Sequence, residues 1–127
     1  MNKMLNIGVA RQIGTYSDGV EAPASARWVF TAGTPGIMPD GSYPHGITAQ
    51  AEQAWKNILA ILAEAGMGVK DLVKVTHYLV RQEDIKDYVV VRARYLRDAR
   101  PASMLTMVPA LVKPEMLVEI EAVAAKG

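Results

Sequence analysis

The sequence has no cysteine. That absence removes disulfides, thiol nucleophiles and thiolate-held metals together. Only two histidines occur, His45 and His77, far apart and without metal-ligand spacing. No metal is expected, and no motif asks for a cofactor. Neither sign of charge dominates, because 14 basic and 13 acidic residues leave a formal net charge of +1. A protein that holds nucleic acid by its phosphates shows a basic surplus or stripe. Here the only local cluster, Arg92, Arg94, Arg97 and Arg100, is broken by Asp98 and reads as a solvated helix face. Nucleic acid is therefore disfavoured as a partner. No apolar run approaches the length of a membrane span. Met1-Asn2-Lys3-Met4 opens no secretory apolar region. A cytoplasmic location and no membrane partner are expected.

What remains is ample material for a core. Half of the 127 residues are hydrophobic, and the mean hydropathy is +0.09. One domain spanning residues 1–127 is expected. A domain so small leaves much apolar surface uncovered, which makes self-association a natural expectation.

Residues 2–9 suit a short edge strand, and a second short strand fits Gly19–Ala22. Arg27–Ala32 is aromatic and β-branched and reads as a strand ending at Gly33. Turn residues follow at Thr34-Pro35-Gly36 and Pro39-Asp40-Gly41. From Thr48 to Ala65, apolar residues at Ala51, Ala54, Trp55, Ile58, Leu59, Leu62 and Ala65 keep helical spacing. Thr48 is a candidate N-cap, with Gly66 and Gly68 as terminators. Asp71–Val80 alternates and reads as a strand. Glu83–Asp98 contains Val89-Val90-Val91, which alone suggests a strand. The wider stripe of Ile85, Tyr88, Val89, Ala93, Tyr95 and Leu96 predicts a helix. Met104–Val108 and Leu117–Ala124 close the chain as strands. The order β-β-β-α-β-α-β-β predicts an α+β fold, with a mixed six-stranded sheet and two helices on one face. The other face of that sheet needs cover.

These elements carry residues that resemble the Rid family (reactive intermediate deaminase, also called YjgF-like). Ile13-Gly14-Thr15-Tyr16-Ser17-Asp18-Gly19-Val20 is similar to the opening "IGPYSQAV", with Thr15 in place of proline. Phe30-Thr31-Ala32-Gly33-Thr34 looks like the strand ending "SGQ". Gln50 to Gly66 resembles the helix pattern "Q…Q…N…L…AG", and Asp71–Leu79 resembles "DVVKVTVFL". Pro101-Ala102-Ser103 is similar to "PARS", and Glu115–Ala124 to the closing "VEIEAIA". The resemblance covers residues 13 to 124. It implies a chorismate-mutase-like fold and a homotrimer with a central β-barrel. It also implies a small-molecule pocket between subunits that hydrolyses enamines or imines without cofactor or metal.

The resemblance also assigns candidate site residues. Tyr16 matches a pocket tyrosine, and Gly33 a glycine whose backbone lies beside the ligand. Glu119 matches a glutamate that orients the attacking water. The position of the family's carboxylate-clamping arginine is occupied by Ser103, which carries no charge. Arg92 stands where an asparagine is common, and it falls inside the apolar stripe of its helix. A charge there needs a partner or a ligand. Arg92 is thus a candidate holder of an anionic group, with a snorkelling or ion-paired arginine as the plainer account. Arg100 is three residues from Ser103 and, by strand alternation, expected on the other face. Glu121 shares the face of Glu119, and two buried carboxylates so close resist joint ionisation. His77, on the face of Val73, Val75 and Leu79, reads as a satisfied core histidine, and His45 as exposed. Trp55, Met104 and Met107 read as core or interface. Two functions remain open, an imine or enamine deaminase and a non-catalytic ligand-binding or chaperone-like trimer. Endoribonuclease activity is a third, set against the near-neutral charge.

Overall fold

The computed structural model describes residues 1–127. The first helix, α1, runs from Ile47 to Glu64 and buries Ile47, Gln50, Ala51, Ala54, Trp55, Ile58 and Leu62 along one stripe. Its N-cap is Gly46 at φ 89°, not Thr48, which lies inside the first turn. Glycine reaches that left-handed backbone without a Cβ clash, so the entry is made by backbone shape and not by a side-chain cap. At the far end Gly66, at φ +70°, donates its N–H to Ala63 O, and Met67 donates to Leu62 O. That pair of bonds is a Schellman closure.

The second helix, α2, spans Ile85–Leu96 and buries Tyr88, Val91 and Leu96. Its β-branched run is thus overridden by packing against α1. Around the helices lie β1 (Lys3–Leu5), β2 (Gly19–Glu21), β3 (Arg27–Phe30), β4 (Thr34–Pro35), β5 (Leu72–Leu79), β6 (Ala102–Met107) and β7 (Val118–Lys126). The main sheet is five-stranded in the order β3-β7-β5-β6, with β4 also paired to β7. β5 and β6 are parallel and the other pairs antiparallel, so the sheet is mixed.

Two expectations are corrected. A single six-stranded sheet does not form, because β1 and β2 pair only with each other. β1 is exposed at all three positions, Met4 and Leu5 included, and its one ladder is with β2. The expected strand Arg27–Ala32 also ends early, at Phe30, and resumes as β4. Phe30 pairs with Val123 and Thr34 with Ile120, so residues 31–33 stand opposite only Glu121 and Ala122. This one-residue excess is a bulge. Thr31 stabilises it by donating its N–H to Ala122 O while its Oγ1 accepts from Ala122 N–H. The bulge matters for the site, because it sets the approach of Gly33 to β7.

The core lies between the helices and the sheet face made by Val75, His77, Leu79, Val118, Ile120, Ala122 and Ala124, all buried. The opposite face carries Thr76, Tyr78, Glu119, Glu121, Val123 and Met104 and no layer covers it. Phe30 (73 % exposed) and Trp28 (49 %) stack on each other there. Met104 is exposed on this face and is not a core residue of the chain. Trp55 is fully buried, as its helical position predicts. No helix is long and apolar enough to cross a membrane.

Conserving the loop between β4 and α1 falls to three polar or small groups. Asn57 donates its amide to Pro35 O and Ile37 O at 3.0 and 2.9 Å. Gln50 donates to Pro44 O and Glu115 O and accepts from Leu117 N–H. Gly36 lies so close that a Cβ there would be 2.1 Å from Gln50 O.

Candidate functional site

Gly33 and Glu119 meet on the open face. A Cβ on Gly33 would sit 2.7 Å from Glu119 Oε2, so only glycine leaves the carboxylate in place. Burial, with the neighbouring charge of Glu121, raises the Glu119 pKa. Glu121 accepts a hydrogen bond from the Tyr78 hydroxyl at 3.1 Å. That bond raises the Tyr78 pKa. Tyr78 stands directly across from Glu119 in the β5–β7 ladder. The shared face of the two glutamates follows from strand alternation, and Tyr78 completes the group. Chemically, Glu119 is a half-buried carboxylate that accepts a proton more readily than an ordinary glutamate.

A second group forms on the helix side of the sheet. His77 is fully buried, and its two ring nitrogens contact the Tyr88 hydroxyl (Nδ1) and Ser103 Oγ (Nε2, 3.1 Å). β5 places His77 inward, α2 places Tyr88, and the parallel pairing of β5 with β6 brings Ser103 alongside Val75. Burial, then the nearby charge of Arg92, lowers the His77 pKa to about 3. The ring is therefore neutral at physiological pH. Burial likewise raises the Tyr88 pKa, and the hydroxyl stays protonated. Arg92 is half-buried, one helical turn beyond Tyr88, and forms neither of the two ion pairs of the chain, Arg81–Asp84 and Arg94–Glu52. His77 is thus the satisfied core histidine that its strand position suggests. Its partner Tyr88 was not among the expected site residues. The signal available for it was the spacing of four between Tyr88 and Arg92, which puts both on one helix face.

Tyr16 belongs to a third region. It lines a surface groove of about 470 Å³ with Asn6, Gly8, Arg11, Asp18 and Arg100 among others. The loop is shaped by the Asp18 carboxylate, which accepts from Ile7 N–H at 2.7 Å and Ala10 N–H at 2.8 Å. It is tied to the start of β6 by a bridge between Ser17 and Ala102. Arg100 donates to Arg97 O and Ala99 O, closing the end of α2. It precedes β6 and takes no part in strand alternation, so the reason given for its direction does not apply. His45 is exposed, as expected.

The fold therefore joins Gly33 to Glu119, and His77 to Tyr88 and Ser103, with Arg92 one turn beyond Tyr88 on α2. It does not join the two groups. Ser103 pairs with Val75 on the covered face, whereas Glu119 pairs with Tyr78 on the open face. No cluster of three His, Asp or Glu side chains is arranged to hold a metal ion.

Residues 9–126 match the family model described as Endoribonuclease L-PSP. A RutC family protein of Pyrococcus horikoshii is 37 % identical over 118 residues, covering 91 % of this chain and 90 % of the relative. The 2-iminobutanoate/2-iminopropanoate deaminase of Mus musculus is 32 % identical, covering 91 % and 84 %. The crystal structure of the Rid-family protein YyfB of Yersinia pestis superposes with a TM-score of 0.84 at 26 % identity, covering 98 % of both chains. These likenesses extend over almost the whole fold, from the N-terminal loop to β7, and the chain belongs to the Rid (YjgF) family.

Proposed function

We propose that this protein is a Rid-type deaminase that hydrolyses a small 2-imino acid, or its enamine tautomer, to the 2-oxo acid and ammonia. The observation that carries the reading is the Glu119 carboxylate, set against Gly33 with its pKa raised by burial and by Glu121. Such a group takes a proton from water as the water oxygen attacks the imine carbon. The same proton goes on to nitrogen to give the amino alcohol, and the hydroxyl proton then passes through Glu119 to nitrogen as the C–N bond breaks, releasing ammonia and forming the carbonyl. The sum is imine plus water giving ketone plus ammonia, with no redox change. Arg92 receives the substrate carboxylate in place of the arginine that Ser103 replaces, and Tyr16 and Gly33 border the pocket. No cofactor enters the scheme. The name of the mouse relative, an iminobutanoate and iminopropanoate deaminase, supports the substrate class.

Within one copy, Glu119 and Arg92 belong to opposite faces of the sheet, so the site is complete only between copies. The uncovered face with Phe30, Trp28 and Met104 supplies the apolar surface for that contact. The reading is accordingly a cytoplasmic homotrimer of single-domain subunits, with open faces turned to a central barrel and pockets at the interfaces.

A second reading is a non-catalytic ligand-binding trimer, favoured by the uncharged Ser103. The test is ammonia release from 2-iminobutanoate formed in situ, for wild type, Glu119→Gln and Arg92→Ala, with the assembly mass measured by light scattering. Release that falls at least tenfold in both variants of an intact trimer supports the deaminase. No release from a folded wild-type trimer favours the binder. The endoribonuclease description of the family model has less support, since the charge is near neutral.

A further inference from the structure

The polar chain from Tyr88 through His77 to Ser103 has no part in the hydrolysis outlined above. It runs from α2 to β6 by way of β5. Three departures from the family pattern quoted earlier lie on it or one helical turn from it. His77 stands where "DVVKVTVFL" has valine, Ser103 where "PARS" has arginine, and Arg92 where asparagine is common. Ser103 Oγ lies 3.1 Å from His77 Nε2, and Arg92 is near enough to oppose protonation of the ring.

The direction of the hydrogen bonds follows from the donor inventory. A neutral imidazole donates from one nitrogen and accepts at the other. Tyr88 is fully buried, and the hydrogen-bond partner of its hydroxyl is His77 Nδ1. A buried hydroxyl hydrogen left without an acceptor is costly, so the phenolic hydrogen goes to His77 Nδ1. The ring proton then sits on Nε2 and is donated to Ser103 Oγ. The serine hydrogen is left free to turn away from the ring. Ser103 makes no other side-chain hydrogen bond within the chain, and neither it nor Arg92 is fully buried. An activated nucleophile needs the opposite arrangement, with Nε2 as acceptor and a partner that stabilises the imidazolium. His77 has no carboxylate on its ring and faces the positive charge of Arg92, so Ser103 is not set up to attack.

We propose that His77 is a positioning residue that holds Ser103 as a hydrogen-bond donor, so that the Ser103 hydroxyl and the Arg92 guanidinium together receive one carboxylate of a small 2-imino or 2-oxo acid. This rests on the substrate class proposed above and replaces the missing bidentate arginine by a neutral donor plus a relocated cation. Such a pair favours a planar anion with two acceptor oxygens.

Two measurements decide it. Long-range proton–nitrogen NMR correlation on the 15N-labelled wild-type trimer reads the His77 tautomer directly. A neutral ring with its proton on Nε2 from about pH 6 to 8 is expected. A proton on Nδ1, or a cationic ring, overturns the inference whatever the variants do. Titration with 2-oxobutanoate then reads the ligand side. Ser103→Ala should bind roughly tenfold more weakly, since a hydrogen bond to a charged acceptor is lost. His77→Phe should match it, while His77→Gln, which keeps an N–H near the Nε2 position, should restore most of the affinity. Wild-type affinity in Ser103→Ala, or no binding of 2-oxobutanoate to the wild type, overturns the proposal. Ammonia release is scored separately. Binding that depends on Ser103 without ammonia release supports the carboxylate site and sinks the deaminase reading, whereas release that is indifferent to Ser103 does the reverse.

Discussion

Gly33 and Glu119 are held so closely by the bulge between β3 and β4 that a methyl group on Gly33 would lie 2.7 Å from the carboxylate oxygen. The flexible glutamate, not the backbone, is what must yield. Gly33→Ala is therefore expected to displace Glu119 and lower kcat for imine hydrolysis at least tenfold. Thermal unfolding should change little, because no backbone atom is struck. Steady-state kinetics beside a melting curve checks both halves.

The Glu119 pKa is raised by burial and by Glu121. A carboxyl that is harder to ionise when folded loses stability as pH rises from its ordinary 4.5 through the raised folded value. Glu119→Gln should therefore be more stable than wild type at pH 7, with the difference disappearing below about pH 4. Glu121→Gln removes the like charge, so the acid limb of the wild-type rate profile should move to lower pH. Urea unfolding at several pH values and a pH–rate profile read the two effects.

His77 behaves in the opposite sense. Its pKa falls from 6.5 to about 3 in the folded chain. The unfolded chain binds the proton first on acidification, so stability is fully present above about pH 6.5 and is lost as pH falls towards 3. His77→Phe should abolish that part of the slope while leaving Tyr88 and Ser103 without their partner, at a cost of about 1–3 kcal/mol near pH 7.5. A variant as steeply acid-sensitive as wild type would contradict the assignment.

Gly36 presses on the first turn of α1, where a Cβ would meet Gln50 O at 2.1 Å. That contact is backbone and cannot turn aside. Gly36→Ala is expected to destabilise the fold by about 2–3 kcal/mol. Denaturant melts should show this loss with an unchanged m-value.

Phe30 and Trp28 stack on the uncovered sheet face. Under the proposed assembly, Phe30→Glu places a charge in the barrel interface and should release monomers while leaving the far-UV circular dichroism unchanged. Sedimentation velocity gives the answer, and an intact trimer in this variant places the contact elsewhere.

Much of the fold was legible because it rests on local pattern. The stripe from Ala51 to Leu62 announced α1, and alternation over Asp71–Val80 announced β5 with His77 inward. α2 was legible only in its wider stripe, since Val89-Val90-Val91 points the other way. The split of Arg27–Ala32 was not legible, because its cause is Ala122, more than ninety residues on, which holds Thr31 from both sides. Gly46 as the N-cap escaped for a related reason, since a positive φ leaves no mark on hydrophobic periodicity.

The candidate site divides in the same way. Resemblance to the Rid family, carried by six short motifs in the right order, was what made Tyr16, Gly33, Arg92, Ser103 and Glu119 candidates. Their grouping was decided by strand pairing. Parallel pairing of β6 with β5 put Ser103 against His77, and antiparallel pairing of β7 with β5 put Glu119 across from Tyr78. A shift of one residue in either ladder turns each side chain to the other face. Sequence alone determined which chemical groups this protein has to work with. Tertiary structure decided which of them face each other, because register is set by the packing of the whole sheet and not by any stretch of it.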